Sequence, residues 1–104
     1  MDRIDVEKEI VKRLIPINPD KIILFGSHAY GKPDKNSDLD ICVITDSSAS
    51  KSETKKKIRY LLNGIFIAKD ILTPTKAEFE FYKNEAGSVY MEIDKKGKVL
   101  WPNS

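Results

Sequence analysis

The fold is decided by one stretch of the sequence, ILFGSHAYGKPDKNSDLDICVI, residues 23–44. Apolar residues occupy both of its ends, whereas a Gly-Ser turn, a polar loop and two aspartates, Asp38 and Asp40, lie between them. The run KIILF, residues 21–25, predicts a short buried strand. The run DLDICVI, residues 38–44, is rich in β-branched side chains and predicts a second one. The aspartates therefore lie at the start of a strand that otherwise belongs to the core.

Helices and strands alternate along the chain on both sides of this stretch. Apolar residues spaced along one face predict an amphipathic helix before the first strand, and Pro16 forces its end. Ser50 and Glu53 form a capping-box pattern for a helix that runs to Leu62. The apolar run IFIAKDIL, residues 65–72, then predicts a third strand. This order predicts an α/β or α+β fold with helices packed on a small sheet.

The C-terminal part adds a short helix and an ambiguous segment. Thr75 is a cap for a helix that carries Phe79 and Tyr82 toward the core. Beyond it, Ser88 as a cap and Gly97 as a stop favour another short helix followed by a strand in VLW. A hairpin that turns at the sequence DKKG is the alternative.

Composition restricts the classes of protein that this chain fits. Its 104 residues fit one domain, residues 1–104, with 40% hydrophobic and 33% charged residues. No apolar run approaches the roughly 20 residues of a spanning helix, so we expect a cytoplasmic protein with no membrane partner. A net charge of +2 is too slight to indicate nucleic acid as a direct substrate. A local basic cluster is interpreted as a solvated helix face: Lys51, Lys55, Lys56, Lys57 and Arg59.

Cys42 is the only cysteine of the chain, so an internal disulfide is impossible. It lies within the apolar run LDICVI, and no cationic residue is next to it in the sequence. We therefore interpret it as a small buried hydrophobic residue rather than a nucleophile.

Side-chain alternation along the second strand places Asp38 and Asp40 on one face, with backbones roughly 6.5 to 7 Å apart. Two carboxylates held that close are unfavourable unless donors, solvent or a cation compensates them. Hard cations such as Mg²⁺ prefer carboxylate oxygens, and a pair of such ions promotes in-line displacement at phosphorus. Asp70 is the predicted third ligand, because it interrupts an apolar run where packing favours an aliphatic residue.

The turn GSHAYG follows the first strand and is a candidate phosphate site. A Gly-Ser turn lets the backbone approach a phosphate, to which N–H groups and the Ser27 hydroxyl can donate. Each part also has an ordinary structural explanation: Gly26 and Ser27 as a strand-to-helix turn, Asp38 as a turn residue, and Asp70 as an ion-pair partner of a lysine. The joint pattern is harder to explain without a ligand.

These residues resemble a known family. GSHAYGKPDKNSDLD contains Gly26 and Ser27, ten further residues, then Asp-x-Asp at Asp38 and Asp40, which is similar to the signature of the polymerase-β-like nucleotidyltransferase superfamily. The short chain resembles a minimal nucleotidyltransferase, and this implies a small mixed sheet flanked by helices. Members often occur beside a helical partner of HEPN type in toxin–antitoxin pairs.

The resemblance implies a reaction and a set of site residues. An antitoxin of this kind transfers AMP from ATP to a tyrosine of its toxin, so Mg²⁺, with two ions, and ATP are the implied cofactor and donor. Asp38, Asp40 and Asp70 would be the catalytic metal ligands, with Asp70 also a base for the acceptor hydroxyl. Gly26, Ser27 and His28 would bind the triphosphate.

Two positions of the motif differ from its commonest form. Arginine often follows the Gly-Ser and recurs two residues later, where this chain has His28 and Tyr30. Neutral imidazole and phenol lack the charged, forked donors of arginine. We interpret His28 as a possible phosphate donor and expect Tyr30 to pack beneath the loop.

Two other functions stay open from the sequence. One is a non-catalytic antitoxin that blocks its partner by contact, through apolar residues near the C-terminus such as Tyr90, Met91 and Trp101, which fit the core equally well. The other is the subunit of a nucleotidyltransferase that acts on a small molecule such as an antibiotic. Oligomers are compatible with each of these functions.

Overall fold

The computed structural model describes residues 3–31, 37–46, 50–65 and 67–102. Within these ranges, five α-helices and one four-stranded sheet form an α+β fold, which confirms the predicted class. No helix of these ranges is long and apolar enough to cross a membrane. In chain order the elements are α1 (Arg3–Leu14), β1 (Lys21–Phe25), α2 (Ser27–Tyr30), β2 (Leu39–Ile44), α3 (Lys51–Leu61), β3 (Lys69–Leu72), α4 (Lys76–Tyr82), α5 (Val89–Lys96) and β4 (Lys98–Trp101).

The sheet is mixed and its strands lie in the order β3-β2-β1-β4. β1 is antiparallel to β2 and β4, whereas β2 and β3 are parallel. Phe25, the last residue of β1, therefore pairs with Asp40 near the start of β2, and Asp40 pairs with Asp70 near the start of β3. The end of β1 and the starts of β2 and β3 meet at one end of the sheet.

Each face of the sheet carries its own apolar cluster. The cluster on the face covered by α1 and α3 contains Val6, Ile10, Leu14, Ile22, Leu24, Leu39, Ile41, Val43, Ile58, Leu62, Ile65, Ile71 and Leu100. The cluster on the face covered by α4 and α5 contains Ile23, Phe25, Cys42, Ile44, Phe79 and Ile93. Because side chains alternate along a strand, Asp40 shares the second face with Cys42. Burial on both faces explains why β1 and β2 are nearly continuous apolar runs.

The helix caps that the sequence predicts are present. Ser50 caps α3 through its hydroxyl. At the start of α4 the capping box is complete: the Glu78 amide donates to the Thr75 hydroxyl at 3.1 Å, and the Thr75 amide donates to the Glu78 carboxylate at 2.9 Å. Ser88 caps α5, which ends before Gly97. The helix followed by a strand is therefore confirmed, and the hairpin alternative is wrong.

The third strand is shorter than predicted. It begins at Lys69, so the expected strand is wrong at Ile65, Ile67 and Ala68. The Ile65 amide donates to the Leu62 carbonyl at 3.2 Å and continues the turn that ends α3. The Lys69 ammonium then donates to the carbonyls of Ile65 and Ile67, which holds this segment as a turn rather than in a ladder.

Three smaller expectations are also corrected. α1 ends at Leu14, and the next three residues, including Pro16, form a 3-10 turn. β2 begins one residue after Asp38. Tyr82 is 44% exposed, because at the end of α4 it packs against the Phe81 ring rather than the sheet. Part of the predicted polar loop, residues 32–36, and one residue of the predicted third strand, Phe66, lie outside the described residues.

Candidate active site

The three residues predicted to supply carboxylates lie at one end of the sheet. Asp40 and Asp70 occupy paired positions of the parallel β2–β3 ladder, so they lie on the same face of strands that are about 4.8 Å apart. Asp38 precedes β2 and is exposed, as Asp70 is, whereas Asp40 is half-buried. Acidic residues that are distant in sequence therefore lie at the same end of the sheet.

The neighbouring carboxylates affect the pKa of Asp40. Burial raises the pKa of the Asp40 carboxyl, and the negative charges of Asp70 and Asp38 raise it further, while His28 acts in the opposite direction. A raised pKa means that the ionised form is destabilised by its surroundings. A bound cation would relieve this destabilisation, because it offsets the mutual repulsion of the carboxylates.

Gly26 brings the turn after β1 against Asp40. Its backbone has φ +74°, and an added Cβ would overlap the Asp40 carboxylate. The amides of Ala29 and Tyr30 donate to the Gly26 carbonyl at 3.0 and 3.1 Å, which starts the short helix α2 at Ser27. Only glycine allows both this conformation and this approach. The turn and the carboxylates therefore form one continuous surface.

The side chain of His28 contacts the protein itself. Its Nε2 lies 3.3 Å from the carbonyl oxygen of Ser37, the residue before Asp38. This contact joins α2 to the approach of β2 across a sequence separation that no local pattern reveals. The Nδ1 atom is the ring nitrogen left for a ligand while this contact persists.

Tyr30 was predicted to pack beneath the loop, and this prediction is wrong. The residue is 43% exposed, and its hydroxyl donates to Glu92 Oε1 in α5 at 2.9 Å. The Lys96 ammonium lies 5.9 Å from the centre of the same ring. Burial and the hydrogen bond with Glu92 raise the pKa of the Tyr30 phenol. No local sequence pattern indicates Glu92 or Lys96 here, because they lie more than sixty residues from Tyr30.

Cys42 is fully buried on the face of the sheet covered by α4 and α5, as predicted. Burial raises the pKa of its thiol to about 12, so the thiol stays protonated at neutral pH. The thiolate, which is the nucleophilic form, is therefore not available for chemistry.

The donor set fits a hard divalent cation in its chemistry. Three carboxylates supply the oxygen ligands that Mg²⁺ prefers. Among the described residues, however, no three acidic, His or Cys side chains converge closely enough to hold a metal ion. A shared ion therefore requires Asp38, Asp40 and Asp70 to turn toward one another, which rotation about their side-chain bonds permits for the exposed pair.

Comparison with known proteins identifies the family. The family described as nucleotidyltransferase domain matches residues 5–99, nearly the whole chain. The chain therefore belongs to the nucleotidyltransferase domain family, which confirms the resemblance seen in the Gly-Ser and Asp-x-Asp motif. No curated protein matches the chain in sequence.

Two solved structures have a similar fold. One is a chain of a crystal structure of a toxin–antitoxin with AMP-PNP, at 24% identity and a TM-score of 0.68, covering 94% of this chain and 74% of that one. The other is a chain of the toxin–antitoxin MntA-HpeT, in a mutant with two aspartates replaced by glutamates, at 20% identity and a TM-score of 0.66 over the same shares. At these identities the likeness concerns the fold.

Proposed function

We propose that this protein is an antitoxin that transfers a nucleoside monophosphate, AMP from ATP, to a tyrosine hydroxyl of a helical HEPN-type toxin. The family supplies nucleotidyl transfer, and the fold is shared with chains of toxin–antitoxin structures, one of which contains AMP-PNP. The observation that carries the proposal is the pairing of Asp40 with Asp70 beside the Gly26 turn. Two paired aspartates beside a turn that approaches one of them closely support a site for a metal ion and a phosphate.

In this proposal Asp38, Asp40 and Asp70 hold Mg²⁺, and the ion neutralises charge on the phosphates when it is bound. Gly26 and Ser27 receive the triphosphate through backbone N–H groups and the serine hydroxyl. Asp70 is exposed at the start of an edge strand, so its carboxylate is accessible to an incoming hydroxyl and can accept its proton. Positioning and electrostatics supply most of the rate.

The contact-only alternative has less support from the structure. Trp101 and Tyr90 are half-buried and pack against the two apolar clusters, and Met91 is also half-buried. These residues therefore contribute more to the core than to a docking surface. The small-molecule alternative is distinguished by the acceptor that becomes modified.

Intact mass spectrometry of the partner tests the proposal. The partner, encoded beside this protein, is incubated with the purified chain, Mg²⁺ and each nucleoside triphosphate in turn. We expect a mass increase of one or more AMP units on the partner with ATP. The increase should disappear with the double variant Asp38→Asn, Asp40→Asn and persist with Asp46→Asn, an exposed aspartate beyond the end of β2.

Partner protein that is silenced without any mass increase, equally by wild type and by the double variant, would establish the contact-only function. Labelling of a small molecule with none on protein would establish the other alternative. Because Asn at position 40 relieves like-charge repulsion, the double variant should remain folded, as circular dichroism checks.

A further inference from the structure

β3 is an edge strand of the sheet and it carries Asp70. Within the described part of the chain, its only strand neighbour is β2. The Leu39 amide donates to the Ala68 carbonyl at 2.7 Å, so alternate residues of this segment direct their main-chain groups toward β2. Lys69, Ile71 and Thr73 therefore direct theirs to the outer edge. Thr73 is partly exposed there, whereas Ile71 is fully buried, so an occupant of this edge would contact side chains along the strand rather than a free main-chain ladder.

Access to the carboxylates is asymmetric and favours this edge. On one side of Asp40 lie Phe25 of β1 and the Gly26 turn, whose backbone closely approaches the Asp40 carboxylate. On the other side lies Asp70, exposed at the rim. A hydroxyl that reacts beside Asp70 therefore approaches most directly from the outer edge of β3.

A groove follows this edge and begins one residue after Asp70. Its volume is about 370 Å³, and it is lined by Lys51, Ser52, Lys55, Ile71, Leu72, Thr73 and Tyr90. At a rise of about 3.3 Å per residue, Thr73 lies about 10 Å along the strand from Asp70. The groove therefore follows β3 from the residue after Asp70, and Asp70 itself does not line it.

The charge of this groove is positive. Lys51 is paired with Glu78 of α4 at 2.5 Å, whereas no carboxylate among the described residues pairs with Lys55. Lys56, Lys57 and Arg59 are exposed on the same helix but do not line the groove. An occupant with carboxylates a few residues from its reactive hydroxyl would match this charge.

We propose that an extended, acidic polypeptide segment of the acceptor protein docks along the outer edge of β3, between α3 and α5. The proposal rests on the proposed function and specifies its acceptor. Lys55 meets one carboxylate of the segment, and the tyrosine of the segment lies beside Asp70. The tyrosine oxygen forms a bond to the α-phosphorus, the bond to the pyrophosphate oxygen breaks, the proton passes to Asp70 and pyrophosphate leaves.

Copolymers of glutamate and tyrosine, and of lysine and tyrosine, are probes of the acceptor site. Transfer from labelled ATP is measured with wild type, Lys55→Glu and two charge-reversal controls. Lys57→Glu changes a residue of the same helix that lies outside the groove. Lys12→Glu changes a residue that lines a groove at the opposite edge of the sheet. We expect labelling of the acidic copolymer only. Lys55→Glu should raise its KM about tenfold and change the KM for ATP less than about twofold, with both controls near wild type.

A second pair of variants tests occupancy without changing Lys55. Ser52 lines the groove at an exposed position of the first turn of α3, so Ser52→Trp should fill the groove without entering the core. Lys56→Trp places the same ring on the exposed side of the helix as the control. We expect Ser52→Trp alone to slow transfer to the copolymer and to the partner protein.

Equal effects of Lys55→Glu and Lys57→Glu, or preference for the basic copolymer, would overturn the proposal. Absence of transfer by wild type to any acceptor would refute the proposed function instead. In that case the fluorescence anisotropy of a labelled glutamate–tyrosine copolymer tests binding in the groove independently of nucleotide transfer. Binding that weakens with Lys55→Glu and Ser52→Trp but not with their controls would support it, and binding that is unchanged in all five variants would reject it.

Discussion

Gly26 and Asp40 lie so close together that a side chain at Gly26 would occupy the place of the Asp40 carboxylate. Gly26 follows the end of β1, whereas Asp40 lies near the start of β2. The positive-φ turn at Gly26 and the half-buried carboxylate of Asp40 nevertheless form one surface. The position at which a phosphate would approach the turn is thereby tied to the position at which the carboxylate would hold a cation.

The substitution Gly26→Ala tests this relationship. It should displace the Asp40 carboxylate and abolish nucleotide transfer, and it should cost about 1 to 2 kcal/mol of stability, because alanine is strained at positive φ. Gly87→Ala is the control, since Gly87 has φ +82° and nothing lies within 4 Å of an added Cβ. Transfer assays and urea denaturation should show similar stability losses but lost activity at Gly26 only. Full activity of a folded Gly26→Ala protein would contradict the fit.

Mg²⁺ should stabilise the folded protein through the carboxylate cluster. At an ion concentration tenfold above its Kd, the free energy of unfolding should rise by about 1.4 kcal/mol, because the ion binds the native state. The gain should vanish after chelation by EDTA and in Asp40→Asn, which lacks the half-buried ligand. Thermal denaturation with and without the ion measures it. Asp46→Asn should retain the gain; if it is lost there too, the ion acts on the general surface charge.

The hydrogen bond from Tyr30 to Glu92 joins α2 to α5. Tyr30→Phe removes it, and we expect a stability loss of under about 1 kcal/mol, because the pair is exposed. The larger effect should be a several-fold increase in the KM for ATP, since α2 follows the proposed phosphate turn. Tyr60→Phe, at a residue that is 78% exposed, removes a hydroxyl elsewhere and should leave kinetics unchanged. An unchanged KM in Tyr30→Phe would limit this contact to a structural role.

Cys42 should make the protein less stable at alkaline pH. The folded thiol has a pKa of about 12, raised from 9.0 by burial. The unfolded thiol therefore loses its proton first, so the stability contribution is complete below pH 9.0 and declines as the pH rises toward about 12. At pH 10 we expect a loss of about 1.4 kcal/mol relative to Cys42→Val, which lacks this titration. Denaturant titrations of both proteins from pH 8 to 10 measure it, and parallel curves would show that the buried thiol is not responsible.

Much of the fold follows from local patterns, and the errors have physical causes. The caps at Ser50, Thr75 and Ser88 and the apolar runs of β1 and β2 depend on neighbours within a few residues, and these elements formed as predicted. The expected strand failed at Ile65, Ile67 and Ala68, where the Lys69 ammonium donates to the carbonyls of Ile65 and Ile67. This local bond from a side chain to the backbone competes with a ladder, and the apolar run alone was compatible with either state.

By itself, the sequence determined which residues form the candidate site. The Gly-Ser turn and the spacing of Asp38 and Asp40 are local features, and Asp70 was recognisable because a charge in an apolar run is unfavourable without a role. Only the tertiary structure decided the strand order, the pairing of Asp40 with Asp70, the bond from Tyr30 to Glu92 and the open edge of β3. These features depend on how both apolar faces of one sheet are covered at once, and that is a property of the whole chain rather than of any segment.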